Sequence, residues 1–159
     1  MTQVTLICVG NFKETYWQEA CREYEKRLSA YCQWNTVVLK EERITDENNP
    51  QKIQQALMSE GARILSHIPD GAFRIALCVE GKAMDSVTLA KTLQRAQDTS
   101  GKIALIIGSS HGLHSTVKQA CDLKLSVSAL TLPHQLCRVL LLETVYRSFT
   151  ILAGKSYHK

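Results

Sequence analysis

The sequence predicts an α/β domain, with a mostly parallel sheet flanked by helices. Short apolar runs alternate with longer segments of helical period, and Gly10, Gly81 and Gly108 stand at the ends of three runs. Three of the runs are almost uninterruptedly apolar, as expected of strands covered on both faces. With 159 residues, 45% apolar and 21% charged, the chain has material for one core, so residues 1–159 are read as a single domain.

Taken in order, strands are expected at 4–9, 34–39, 74–79, 103–107 and 123–129. Between them, residues 14–30 set Trp17, Cys21, Tyr24 and Leu28 on one helical stripe. Residues 50–68 open with Pro50 in the first turn and repeat Ile53, Leu57, Ile64 and Ile68. Residues 86–98 carry Val87, Ala90 and Leu93 behind a cap at Asp85 or Ser86. A short helix is expected near 114–122. The stretch 41–49 holds Glu41, Glu42, Asp46 and Glu47 against Arg43 alone, and reads as an exposed loop.

The last helix, 136–152, is apolar around most of its circumference, with Leu136, Val139, Leu140, Leu142, Val145, Phe149 and Leu152. Such a helix must be covered by its own core, by a twin subunit, or by both, and a homodimer is expected. Arg138 and Glu143 interrupt the longest apolar run, so no segment reaches the roughly 20 residues of a membrane span. The N-terminus lacks the basic region of a signal peptide, and a cytoplasmic location is expected. Net charge is +4 with a pI near 8.8, which is compatible with an RNA partner. No arginine-rich arm is present, so any RNA affinity must come from a folded patch.

Six cysteines, at 8, 21, 32, 78, 121 and 137, show no Cys-x-x-Cys spacing. They read as buried or incidental thiols, with Cys8 and Cys78 inside core strands, and not as a disulfide or zinc framework. His111 and His114 form an H-x-x-H that no acid or cysteine completes, so no metal site is expected.

Three strand ends are candidates for ligand binding: Leu77-Cys-Val-Glu-Gly81, Ile107-Gly108-Ser-Ser-His-Gly-Leu113 and Ser126-Val-Ser-Ala-Leu-Thr-Leu-Pro133. Ligands of open parallel sheets gather at carboxyl ends of strands, and a side chain at Gly108 would occupy that space. Taken singly, each loop also reads as an ordinary turn or an edge strand. Without a G-x-G-x-x-G spacing, a dinucleotide fold is disfavoured. His134 and Arg138 are four apart at the start of the last helix, as are Glu143 and Arg147 further along. The second pair reads as a helix-stabilising ion pair. Arg138, among Leu136, Val139 and Leu140, needs a carboxylate, a carbonyl or a phosphate. His134 sits where the helix dipole disfavours protonation, and reads as a capping or hydrogen-bonding residue.

From Val9-Gly10, through Gly108-Ser-Ser-His-Gly112, to the closing Tyr157-His158-Lys159, the chain resembles the SPOUT class of methyltransferases. Within that class it resembles the small stand-alone ribosomal RNA large-subunit methyltransferase H family. General connection rules give no reason to expect threading; the resemblance implies a C-terminal trefoil knot, the α/β-knot of the class. It also implies S-adenosylmethionine as cofactor, held by Leu77, Gly108, Val127, Ser128, Ala129, Leu130, Thr131 and Leu132. The implied substrate is N3 of a pseudouridine in helix 69 of 23S rRNA, within the assembled ribosome. Arg138, His134, Tyr157 and His158 are then candidate substrate or catalytic residues, with Lys159 placed for a phosphate. The family usually has a second glycine where this chain has Ser109. That departure favours a rival reading, a non-catalytic ribosome-binding factor that keeps the fold. A thiol-dependent hydrolase using His111 or His134 is the other rival, and it needs a thiol in a polar setting.

Overall fold

The computed structural model describes all residues, 1–159. Five strands, β1 (Gln3–Val9), β2 (Gln33–Leu39), β3 (Phe73–Ala83), β4 (Lys102–Ile107) and β5 (Leu123–Ser126), form one sheet in the order β2-β1-β4-β3-β5. Every pairing in it is parallel. Five helices complete the chain: α1 (Thr15–Leu28), α2 (Pro50–Ser66), α3 (Ser86–Ser100), α4 (Ser115–Gln119) and α5 (His134–Leu152).

Strand periodicity explains why the runs are continuously apolar. Leu6 and Leu105 face a layer made by α1, α3 and α5, where Cys21, Leu28, Leu89, Leu93, Leu142 and Phe149 pack. Their neighbours Ile7 and Ile106 face the opposite layer, with Ile64 of α2 and Val117 of α4. Three helices start on identified caps. Asn49 accepts from the amides of Gln51 and Lys52 ahead of Pro50, and Asp85, not Ser86, accepts from Thr88 at 2.7 Å. His114 Nδ1 accepts from the Thr116 amide, a structural task for half of the H-x-x-H.

The boundaries of β5, α4, α5 and β3 differ from expectation. β5 stops at Ser126, so Val127, Ser128 and Ala129 are not strand. The Ser126 hydroxyl donates to the Ser128 carbonyl and the Leu130 amide to the Ser128 hydroxyl, which turns the chain off the sheet. Helix α4 is shorter than 114–122, and α5 begins two residues before 136. β3 runs four residues past 79, but not smoothly: Leu77 and Lys82 both pair with Leu125, so Cys78 to Gly81 bulge out between them. Cys78 is therefore a half-buried bulge residue and not a core residue, whereas Cys8 is fully buried.

At Gly81 the bulge lies against the backbone of β5. A Cβ there would stand 2.5 Å from the carbonyl carbon of Leu125 and 2.7 Å from the amide nitrogen of Ser126. Gly81→Val should therefore destabilise the protein by about 1–3 kcal/mol in urea unfolding. A loss below about 0.5 kcal/mol, the range of a neutral surface change, would mean that the bulge is free to move.

Candidate functional site

Pairing between β3 and β4 ends at Ala76 opposite Ile106, and the two strands part beyond it. A cleft of about 450 Å³ opens there, at the carboxyl ends of β3, β4 and β5. Its walls are the bulge after Leu77, the loop Gly108–Gly112 and the turn from Ser126 into α5. Of the expected cofactor residues, Leu77, Gly108, Val127, Ser128, Leu130, Thr131 and Leu132 line it, and Ala129 does not. Val79 and Leu130 are strongly exposed apolar side chains, and both belong to this lining.

Gly108 is required for a different reason from the expected one. An added Cβ would lie 2.2 Å from the carbonyl oxygen of Gly112, so it would strike the loop's own backbone. The loop closes tightly because the Gly112 amide donates to the Ser109 carbonyl at 2.9 Å, with Gly112 at φ +88°. The Ser109 hydroxyl donates to Glu60, which is not part of the cleft wall. It thus has a structural use, and the serine no longer favours a non-catalytic factor.

His134, the first residue of α5, lines the cleft but caps nothing. Burial pushes its imidazole below the usual range; the field of Glu41 opposes this and that of Arg138 adds to it. Lys118 and Glu80 form an ion pair on the cleft wall, and the hydrogen bond from Lys118 holds the Glu80 carboxyl below its ordinary range. Neither residue carried a local sequence signal, because the pair joins a β-bulge to a helix 38 positions away. His111 also lines the cleft, 4.0 Å from Glu47.

The two cysteines of the cleft, Cys78 and Cys137, have thiols pushed up by burial. Burial likewise takes Cys21 and Cys121 to about 11 and Cys32 to about 12, and it raises Cys8. No thiol is poised as a nucleophile, which removes the basis for a thiol hydrolase. All six are free cysteines, and no group of three His, Cys, Asp or Glu residues forms a metal site.

Arg138 does not line the cleft. Only 4% exposed, it donates from Nη2 to the Gly10 carbonyl at 2.8 Å and lays its guanidinium 4.2 Å from the centre of the Phe12 ring. Of the three partners the sequence left open, the structure uses a carbonyl. The charge thereby ties the β1–α1 loop to α5.

Glu143 and Arg147 form the expected pair, with two contacts of 3.0 and 2.5 Å. Tyr157 joins them. Its hydroxyl donates to Glu143 at 3.1 Å, Arg147 lies over its ring at 4.7 Å, and Tyr146 meets it edge-on. Burial, then the hydrogen bond to Glu143, pushes the Tyr157 phenol to about 12. With Lys159 and Tyr31 it lines a second depression, separate from the cleft, while His158 is exposed. Within one chain, therefore, His134 is at the cleft and Tyr157 and His158 are not.

The chain matches, over residues 2–158, the family model described as "Predicted SPOUT methyltransferase". Two curated relatives named Ribosomal RNA large subunit methyltransferase H align over 156 residues, 98% of this chain and 99% of theirs. That of Caldicellulosiruptor saccharolyticus is 39% identical and that of Caldicellulosiruptor bescii 42%. Among solved structures, a probable methyltransferase from Bordetella pertussis superposes with a TM-score of 0.57 at 16% identity, covering 93% of this chain and 96% of that one. A probable methylase family protein from Haemophilus influenzae gives 0.55 at 16% identity, covering 99% of this chain and 70% of that one. At those identities the likeness speaks for the fold.

The state of His134 has a measurable consequence. Its folded-state pKa lies below the ordinary 6.5, so below that pH the unfolded chain binds the proton more readily. This residue's contribution to stability is thus lost as pH falls through the window beneath 6.5. Thermal unfolding from neutral to acid pH should show His134→Gln losing less stability on acidification than the parent. Identical slopes would show that His134 titrates as it does in the unfolded chain.

Proposed function

The chain belongs to the SPOUT methyltransferase family, and on that premise we propose that it methylates N3 of a pseudouridine in helix 69 of 23S rRNA. S-adenosylmethionine is the proposed methyl donor, the assembled ribosome the substrate, and a cytoplasmic homodimer the active form. The observation that carries this reading is the cleft, which lies at the carboxyl ends of three parallel strands and is walled by all three loops. Relatives named as ribosomal RNA methyltransferases, similar along nearly the whole chain, support the substrate class. The C-terminal trefoil knot comes with the family.

The lining suits the cofactor. Val79 and Leu130 offer apolar surface at the rim, and the turn 126–132 and the loop 108–112 offer main-chain donors and acceptors between them. That donor set fits a flat base edge without requiring a charged side chain. Leu77, Gly108, Val127, Ser128, Leu130, Thr131 and Leu132 would hold the group, whose sulfonium supplies an activated methyl.

The protein then has to place a nucleophilic nitrogen in line and dispose of its proton. Tyr157 donates to Glu143 and keeps its phenolic proton at neutral pH, so it orients or stacks and does not act as base. His134, kept neutral by burial at the cleft, is available to accept a hydrogen bond or a proton. Arg138 acts by holding the Gly10 loop against α5. Tyr157, His158 and Lys159 reach a site as the tail of the second subunit, since in their own chain they lie outside the cleft. Leu136, Val139 and Leu140 of α5, half-exposed in the single chain, fit the face that the second copy covers.

The decisive experiment incubates the purified protein with cofactor and ribosomes lacking the modification, then maps the 23S rRNA by mass spectrometry. A one-methyl gain on a helix 69 pseudouridine is expected. A methyl elsewhere would overturn the substrate assignment, and no methyl at all would overturn the activity.

Two variants test the site. In Gly108→Val the loop must move away from Gly112. Calorimetry should show cofactor affinity lowered by at least about tenfold in a protein that retains its helical circular dichroism, since one such factor is only about 1.4 kcal/mol. Full affinity would mean that the loop does not shape the cofactor site. Deleting Tyr157, His158 and Lys159 should leave the dimer mass in light scattering and cofactor binding unchanged, while ribosome methylation collapses. Undiminished methylation would place substrate contacts elsewhere, and a monomer mass for the intact protein would exclude the shared site.

A further inference from the structure

Glu60 of α2 is a carboxylate only 3% exposed, far from where a helix normally keeps an acid. A buried carboxylate is tolerated when hydrogen bonds replace its water. Here each oxygen has one donor, and the donors come from different parts of the chain. Oε1 accepts from the Ser109 hydroxyl at 3.0 Å, and Oε2 accepts from the backbone amide of Glu42 at 2.8 Å. Ser109 belongs to the loop that walls the cleft, and it is itself 6% exposed. Glu42 belongs to the connection between β2 and α2, residues 40–49, which contains neither helix nor strand.

We propose that Glu60 is a positioning residue that ties the cleft loop 108–112 to the 40–49 connection, so that cofactor affinity depends on a hydroxyl–carboxylate–amide link outside the cleft. This rests on reading the cleft as the S-adenosylmethionine site. The link joins the two segments through α2, and no hydrogen bond runs directly from one segment to the other. The cleft loop closes on itself through the Gly112 amide and the Ser109 carbonyl, which fixes its shape but not its position on the sheet. The connection is fastened by side chains: Glu42 Oε1 accepts from Arg63 at 2.8 Å and from Ser59 at 3.0 Å, both on α2. A second, looser contact runs between the same segments, His111 to Glu47 at 4.0 Å. Burial, helped by the field of Glu41, pushes the Glu60 carboxyl above its ordinary range, and the two hydrogen bonds and Arg63 pull against that shift.

Removing the hydroxyl leaves Oε1 buried without a donor, and the carboxylate must retreat or take up a proton. Either response releases the loop. An amide at position 60 preserves the link: its oxygen accepts from the Glu42 amide, and its NH₂ donates to a rotated Ser109 hydroxyl. The geometry therefore distinguishes a hydrogen-bonded link from simple packing.

The test measures S-adenosylmethionine affinity by calorimetry, and amide hydrogen exchange without cofactor, on the full-length protein. Ser109→Ala should weaken affinity by about five- to tenfold, the scale of one charge-assisted hydrogen bond. It should also speed exchange in both 108–113 and 40–45, although only the first contains the substitution. In the parent background, Glu60→Gln should keep both readouts near parental values, whereas Glu60→Ala should lose both. Glu42→Pro deletes the amide donor and Glu42→Ala keeps it; the first should weaken affinity several-fold more than the second, which covers the case of a Ser109 variant that does not fold. Parental affinity in Ser109→Ala, faster exchange confined to 108–113, or equal damage from Gln and Ala at position 60 would each overturn the proposal. An intact protein that binds no cofactor would instead overturn the cofactor reading, and the exchange arm would still decide whether the two segments are tied.

Discussion

At two glycines of this molecule neighbouring main chain comes too close to admit a side chain, and the shape of the cleft depends on both. Gly81 brings the β3 bulge against the backbone of β5, and Gly108 brings the end of β4 against Gly112. Neither contact leaves room for a Cβ. The first holds Cys78 to Glu80 out of the sheet, and the second folds the loop 108–112 back on itself. Between the two, β3 and β4 separate past Ala76, and the cleft opens without any residue having been removed from the core. A parallel sheet whose strands ran smoothly to their ends would offer a flat edge there.

The same economy explains the polar groups in α5. A helix this apolar has no solvated stripe to accept charges, so each of its ionic residues is bound to something specific. Arg138 is held by a carbonyl and a ring on the β1–α1 loop, and Arg147 by Glu143 beneath Tyr157. These contacts connect the start of the chain and its end to one helix. They also tie loop position to helix position at both ends of α5, so that shifting the helix would strand a buried charge, which is costly.

Most of the architecture was legible because period and continuity report burial directly. Five strands and five helices stand where alternating apolar runs and helical stripes put them, and the continuous runs are strands with helices on both faces. What was illegible depends on contacts between distant segments. The β3 bulge needs a β5 partner, so 74–79 read as a plain strand and Cys78 as core. Residues 127–129 have strand-like composition, yet two serine hydrogen bonds turn them into a loop. The resemblance pointed to the cleft residues, but not to the Lys118–Glu80 pair or to Glu60, since neither has a signature within ten residues.

The titration behaviour of the side chains narrows what chemistry the site can supply. Thiols raised by burial are not thiolates, and a phenol at about 12 is not a phenolate, so neither offers a strong base or nucleophile near neutral pH. A histidine kept neutral at the cleft is a weak base, well matched to a nucleophile that needs only modest help. Such a set suits a reaction whose leaving group is already activated. The protein's contribution is then positional, and that gives the glycine contacts their weight: a loop misplaced by an ångström costs an in-line displacement more than the loss of any one of these weak acids and bases.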